Sequence, residues 1–238
     1  MEPNIVWTAL IEHAQQKHRF LDQLCSLCSG EFTGKGGTVH CKRSCAGCCS
    51  LNVRCTLTEA VALAPHLNDN QIEALHLHAE KLKQIDRDSR DLKSFLKASR
   101  DQVGPCPLLD ADGACSVYEH RPLACRALLS TMAPHYCTLD FSTLNSTEKQ
   151  AFMAQLDQES VNFPTHYLAM PQQIAQAAEM ECLEKMKEAF GVAVTGNLPY
   201  LLDLELTLKV SEKLAEGRGL QNFIDPICKN DSFLISFT

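Results

Sequence analysis

The sequence predicts an all-α chain: a helical domain with an irregular metal-binding loop core built from two cysteine-rich segments. Three observations carry that expectation. Apolar residues recur at helical spacing over most of the 238 residues. Short β-branched runs, the only strand candidates, are confined to 192–195 and 233–237. Most of the 13 cysteines gather in two stretches, 41–49 and 106–137.

Taken in order, residues 4–27 read as an amphipathic helix, with Ile5, Val6, Leu10, Ile11, Leu21, Leu24 and Leu27 near helical spacing. It ends in Cys25-Ser26-Leu27-Cys28. No strand precedes this Cys-x-x-Cys, so a thioredoxin-like redox site does not fit. It reads as two half-buried thiols at a helix end, with extra metal ligands as the alternative. Gly30, Gly34, Gly36 and Gly37 make 29–40 a flexible loop without phosphate-loop spacing.

Thr56-Leu57-Thr58-Glu59 has the form of a capping box opening a helix over 58–67, which Asn68-Asp69-Asn70 breaks. Residues 70–98 read as one long helix with Ile72, Leu75, Leu82, Ile85, Leu92, Phe95 and Leu96 on one side. Its basic residues alternate with acids, which describes a solvated face. His76 and His78 point apart on that helix and read as surface histidines. Residues 99–120 are loop, with Cys106 held between Pro105 and Pro107. Arg121-Pro122 opens a short helix carrying Cys125, and Cys137 follows the break at Pro134. Helices are expected from Ser146 to about Ser160, from Pro171 to Phe190 where Gly191 stops it, and over 198–216. The organisation expected is an N-terminal helix and Gly-rich loop (1–37), a cysteine-cluster metal-binding domain (38–140) and a C-terminal helical region packing on it (141–238).

Twenty-nine acids against 22 bases give a net charge of -7, which argues against nucleic acid or an anionic membrane surface as partner. The N-terminus lacks the basic and apolar regions of a signal peptide, and no run reaches the roughly 18–20 apolar residues that span a bilayer. The expected setting is cytoplasmic, where thiols stay reduced and serve as metal ligands more than as disulfides.

Cys41, Cys45, Cys48 and Cys49 lie at i, i+4, i+7 and i+8. They share a face if the segment is helical, or point inward if it turns around Gly47. Thiolates that close repel unless a cation neutralises them, and soft sulfur selects zinc, copper(I) or iron–sulfur clusters. The spacing is neither that of a zinc ribbon nor that of a bacterial ferredoxin. Adjacent cysteines rarely share one mononuclear metal, because their side chains diverge. They would serve two metals, or two corners of one cluster. For Cys106, Cys115, Cys125 and Cys137 the spacing alone proves little.

Their surroundings decide. Cys41-x3-Cys45-x2-Cys48-Cys49, then Gly104-Pro105-Cys106-Pro107-Leu108, then Gly113-Ala114-Cys115-Ser116-Val117-Tyr118-Glu119-x-Arg121-Pro122-Leu123-x-Cys125-Arg126 resembles the YkgJ-type cysteine-cluster family, described as chelating zinc or iron. The resemblance covers about residues 38–137 and includes Thr58-Glu59-Ala60 soon after the first cluster. It implies a metal site assembled from both halves, with Cys41, Cys45, Cys48, Cys49, Cys106, Cys115, Cys125 and Cys137 as ligands. The cofactor implied is an iron–sulfur cluster, a four-iron one first, or zinc. Cys25, Cys28, Cys55, Cys182 and Cys228 lie outside the pattern.

Arg126 and Tyr118 are candidates to line the centre behind its ligands, with Arg126 donating to sulfur; a Glu119–Arg salt bridge is the competing role for that arginine. His40 and His135 neighbour the cysteines and have the chemistry of zinc donors. Eight thiolates would fill two four-sulfur sites, or one four-iron cluster and a zinc. Three functions stay open: a non-catalytic metalloprotein; an iron–sulfur-dependent enzyme of the group-transfer or redox type, similar to flagellin lysine methylases; and a zinc-stabilised module whose partner is another protein. No Ser-His-Asp, His-Glu-x-x-His or dinucleotide signature is present.

Overall fold

The computed structural model describes residues 3–219 and 232–238; Cys228 lies outside them. Helix dominates, as expected, beginning with α1 (Pro3–Gly34). Trp7, Leu10, Ala14, Leu21 and Cys25 recur every three or four residues along it and are all buried. The helix runs past the predicted end. Thr33 Oγ1 bonds back to the Ser29 and Gly30 carbonyls, at 2.8 and 3.1 Å, and Lys35 pairs with Glu31. Those contacts carry the helix through Gly30, so Cys25 and Cys28 sit inside it rather than at its end.

The all-α expectation needs one correction. After the first cysteine segment come β1 (Arg54–Thr56) and α2 (Leu57–Leu63). β1 is the edge of a three-stranded antiparallel sheet, in the order β1, β2 (Val194–Asn197), β3 (Ile235–Phe237). Arg54 pairs with Asn197 and Thr56 with Thr195; Val194 pairs with Phe237. Two of these strands fall near the β-branched runs of the sequence. β1 does not, because three residues are too few to show alternation. At Gly196 the strands come so close that a Cβ would lie 2.5 Å from the Leu234 carbonyl oxygen, which only glycine permits.

The expected helix over 70–98 is two helices, α3 (Asp69–Asp88) and α4 (Leu92–Ala98). Asp91 caps the second, accepting from the Ser94 N–H at 2.7 Å. That local bond competes with helix continuation through Ser89 and Arg90. The break turns Leu92 out to solvent while Phe95 stays wholly buried. A single turn of π-helix, Ser99–Val103, follows. Next come two one-turn helices, α5 (Leu123–Arg126) and α6 (His135–Thr138), and then α7 (Ser146–Ala154), shorter than expected. α8 (Ala169–Phe190) ends at Gly191, whose φ of 73° is the left-handed conformation that glycine supplies. The helix expected over 198–216 is broken at Lys209, φ 52°, into α9 (Leu198–Leu208) and α10 (Val210–Ala215).

The main core joins Trp7 and Leu10 of α1, Leu57 and Leu63 of α2, Leu75 and Leu82 of α3, and Leu201, Leu202 and Leu204 of α9. A second cluster, Leu21, Cys25, Leu123, Ala127, Ala175 and Ala178, binds α1 to α5 and α8. α3 is pinned to α9 by Asp203, only 2 % exposed, which takes His76 Nδ1 at 2.9 Å and Lys83 Nζ at 3.1 Å. His76 is therefore exposed but bonded, and Lys83 is not on a purely solvated face. His76, Glu80 and Asp203 offer ligand atoms within 4.8 Å of one another, but the Lys83 ammonium bonds both carboxylates and supplies the cation there.

Glu59 ties these parts to the cysteines. It lies on α2 and is 2 % exposed. Its carboxylate completes the capping box, accepting from the Thr56 N–H and hydroxyl, both at 2.9 Å. It also takes the Leu123 N–H at 2.7 Å and faces His18 Nε2 at 3.1 Å. One buried group thus joins α1, α2 and the start of α5.

Candidate metal centre

Four separate pieces of chain carry the eight cysteines. Cys41 and Cys45 lie on a loop closed by the Cys45 N–H on the Lys42 carbonyl at 3.1 Å. Cys48 and Cys49 occupy a 3-10 turn, Gly47–Ser50, so the first segment is a turn around Gly47 rather than a helix face. Cys106 and Cys115 sit on a tight loop in which Asp110 Oδ1 takes the Ala114 N–H at 2.8 Å and Leu109 pairs with Cys115. Cys125 and Cys137 are placed by α5 and α6.

These pieces converge. The Cys106 N–H donates to the Cys49 carbonyl at 2.8 Å. A Cβ placed on Gly47 would lie 2.9 Å from the Cys137 Cβ and 3.0 Å from the Pro134 carbonyl oxygen, so glycine lets α6 press against the turn. All eight cysteines line one cavity of about 860 Å³. The sulfurs of Cys48 and Cys49 lie against each other. The 3-10 turn keeps them together, contrary to the divergence expected of adjacent cysteines.

The environment opposes bare thiolates. Burial pushes the thiols of Cys41, Cys115, Cys125 and Cys137 up, and Cys106 up to about 11. For Cys48 the adjoining Cys49 sulfur raises it first and burial second. Neighbouring cysteines add to the rise at Cys106 and Cys125. Without a cation this is a nest of neutral thiols; a bound metal would reverse that by coordinating the anionic form.

The positive charge that faces the sulfurs is Arg121, which favours the thiolates of Cys48, Cys115 and Cys125. Its guanidinium lies 3.7 Å over the Tyr118 ring, and its buried Nε has no hydrogen-bond partner. Arg126, for which donation to sulfur and a salt bridge were the two expected roles, lines the cavity. Its guanidinium is taken by the Arg121 carbonyl at 2.7 Å, the Glu119 carbonyl and the Asp22 carboxylate. The salt bridge is thus to Asp22 on α1, not to the Glu119 side chain. Tyr118 lines the cavity while 53 % exposed.

Other residues reach the site without any signal in the sequence. The Ser130 N–H donates to the Cys41 sulfur at 3.2 Å. His166 Nε2 lies 3.4 Å from the Cys137 sulfur, and the Tyr167 hydroxyl stands beside it. Burial, and then Cys137, push the Tyr167 phenol up. His78, expected on the surface, is half-buried and lines the cavity; burial lowers it to about 4. His40 and His135 are not among the lining residues, and the His135 ring lies tilted against Tyr136 instead, centroids 4.1 Å apart. Cys25 donates to the Arg126 carbonyl, and Cys25, Cys28, Cys55 and Cys182 stay outside the cavity.

Compared with known families, residues 40–155 match the CxxCxxCC family, "Putative zinc- or iron-chelating domain". No curated protein and no solved structure gives a significant match. Among the described residues, no helix is long and apolar enough to cross a membrane.

Proposed function

Because residues 40–155 belong to the CxxCxxCC zinc- or iron-chelating family, we propose that this chain is a thiolate metalloprotein whose main cofactor is an iron–sulfur cluster. Its ligands would come from among Cys41, Cys45, Cys48, Cys49, Cys106, Cys115, Cys125 and Cys137. The observation that carries the reading is the meeting of all eight around one cavity. The donor set is soft, which fits zinc and iron–sulfur alike.

When bound, such a group supplies one-electron chemistry or a Lewis-acidic iron. The chain's own residues supply the rest. Arg121 would offset the negative charge of the thiolates, and the Ser130 N–H would stabilise Cys41. Free thiols at all twelve described cysteines suit a reducing, cytoplasmic setting.

A second reading, an iron–sulfur-dependent enzyme of the group-transfer or redox type, is favoured by one feature. The cavity is lined not only by the sulfurs but also by polar His78, Asn52 and Asn197 and apolar Leu63, Leu82 and Leu198. Its volume lies within the roughly 300–1,000 Å³ of small-molecule sites.

Anaerobic purification with iron, acid-labile sulfide and zinc analysis tests the proposal. A brown protein with iron and sulfide in equal amounts is expected. A colourless protein with stoichiometric zinc would replace the cluster by zinc, and a metal-free one would remove the function altogether.

A further inference from the structure

We infer that His166 belongs to the metal centre as a positioning residue: its ring N–H donates to the Cys137 sulfur and holds that cysteine in place for metal. The inference rests on the metal-binding reading above. It adds to the centre a part of the chain that lies beyond both the cysteine pattern and the matched residues 40–155.

The contact is built by one short pairing of backbone. Ser130 lies opposite Tyr167, and Val161 opposite Leu168. The His166 carbonyl accepts from the Thr131 N–H and from the Thr131 hydroxyl, both at 2.9 Å. The Leu168 N–H donates to the Leu129 carbonyl at 3.0 Å, and the Asn162 N–H to the Tyr167 carbonyl at 2.8 Å. Residues 161–168 thus double back and lie along 129–131.

That pairing serves two of the cysteines. Ser130 gives its N–H to the Cys41 sulfur at 3.2 Å, and its carbonyl takes the His40 N–H at 2.9 Å. His166, paired through Thr131, brings Nε2 to 3.4 Å from the Cys137 sulfur. One piece of structure therefore sets an N–H on Cys41 and an imidazole on Cys137.

The ring is held for this contact. His166 is 5 % exposed, edge-on to Phe152 with centroids 6.0 Å apart and tilted against Tyr167 at 4.3 Å. Among the described residues the Cys137 sulfur is the hydrogen-bond partner of its imidazole. A metal-bound cysteine sulfur has lost its proton and only accepts, so the ring must carry its proton on Nε2. A hydrogen bond to such an anionic sulfur is stronger than one to a neutral thiol. Cys137 and Tyr167 line the cavity and His166 does not, which fits a donor behind the sulfur better than a ligand.

His166→Leu and His166→Gln, purified anaerobically beside the unaltered chain, test this. Leucine removes the donor, and glutamine keeps an N–H. In competition against a chelator, His166→Leu should weaken metal retention about 10–100-fold, with His166→Gln recovering most of it. If the metal is a cluster, the reduction potential should fall in His166→Leu and return in His166→Gln, because a hydrogen bond to sulfur favours the more negative, reduced form. A merely structural role would not give that split. Retention in His166→Leu equal to that of the unaltered chain overturns the inference and leaves the metalloprotein reading intact. So does equal loss in both variants, or X-ray absorption showing a metal-bound nitrogen that both variants lose, which would make His166 a ligand. If His166→Leu does not fold, the ring tautomer in the unaltered protein decides, read by nitrogen–proton NMR: Nε2–H is expected, and Nδ1–H overturns the inference. A chain purified with no metal overturns the metalloprotein reading itself, and this inference with it.

Discussion

Replacing Glu59 with alanine removes the carboxylate on which α1, α2 and α5 converge. The Thr56 and Leu123 N–H groups, bonded at 2.9 and 2.7 Å, would be left buried without acceptors. Each such orphan costs about 1–3 kcal/mol. His18, 7 % exposed, would lose its partner at 3.1 Å, and removing one member of a buried pair costs about 3–5 kcal/mol. These contributions overlap, so the expected loss is about 3–5 kcal/mol. For a chain of this size that lowers the melting temperature by about 6–20 °C. Glu59→Gln keeps one acceptor oxygen and should lose roughly half as much. The assay is thermal unfolding followed by circular dichroism, with metal content measured on the same samples, since Leu123 begins the helix that carries Cys125. The pH dependence has a definite sign. Burial pushes the Glu59 carboxyl up, but His18 and the Leu123 and Thr56 donors outweigh it and hold the group below its ordinary value. Its contribution is therefore complete above about pH 4.5 and is lost as the pH falls through the depressed folded value. Glu59→Gln should remove that acid-dependent part. A change of less than about 1 kcal/mol in Glu59→Ala would refute the reasoning.

Three further outcomes are expected. Glu179 on α8 is pushed up to about 8 by burial and by Glu59, with Arg54 opposing. Folding thus favours its neutral form, and stability falls as the pH rises from about 4.5 toward 8. Glu179→Gln should raise the melting temperature at pH 8 and leave it nearly unchanged at pH 4, which melts at the two pH values would check. Gly47→Ala places a Cβ 2.9 Å from the Cys137 Cβ, so urea unfolding should show a loss of about 1–3 kcal/mol. Arg121→Leu removes the positive charge facing Cys48, Cys115 and Cys125. Competition against a chelator should show metal retention weakened by about 10–100-fold, with Arg121→Lys recovering most of it.

Much of this was legible in residue order, and what was not has physical causes. The capping box at Thr56–Glu59 and the stop at Gly191 are local chemistry, and both form as the sequence predicts. The convergence of 41–49 with 106–137 was expected from the family resemblance of their surroundings, since the wide spacing of the second set alone proves little. Helix lengths failed where a short-range bond competes with continuation: Asp91 caps a new helix, and Thr33 extends α1 through glycine. The sheet was half-visible, since β1 gains its identity only by pairing with residues about 140 positions away. The surroundings of the sulfurs were least legible. Asp22 of α1 pairs closely with Arg126 and more distantly, at 3.9 Å, with Arg121, which is the arginine that faces Cys48, Cys115 and Cys125. His166 and Tyr167 reach Cys137 through the strand-like pairing of Ser130 with Tyr167, which no spacing rule reports.

X-ray absorption at the metal edge of the anaerobically purified protein tests the central claim most directly. The account predicts a first shell of sulfur alone, at about 2.3 Å for any zinc, with short iron–iron scattering where a cluster is present. A first shell dominated by nitrogen or oxygen would contradict it, because the cysteine cavity would then not be what holds the metal.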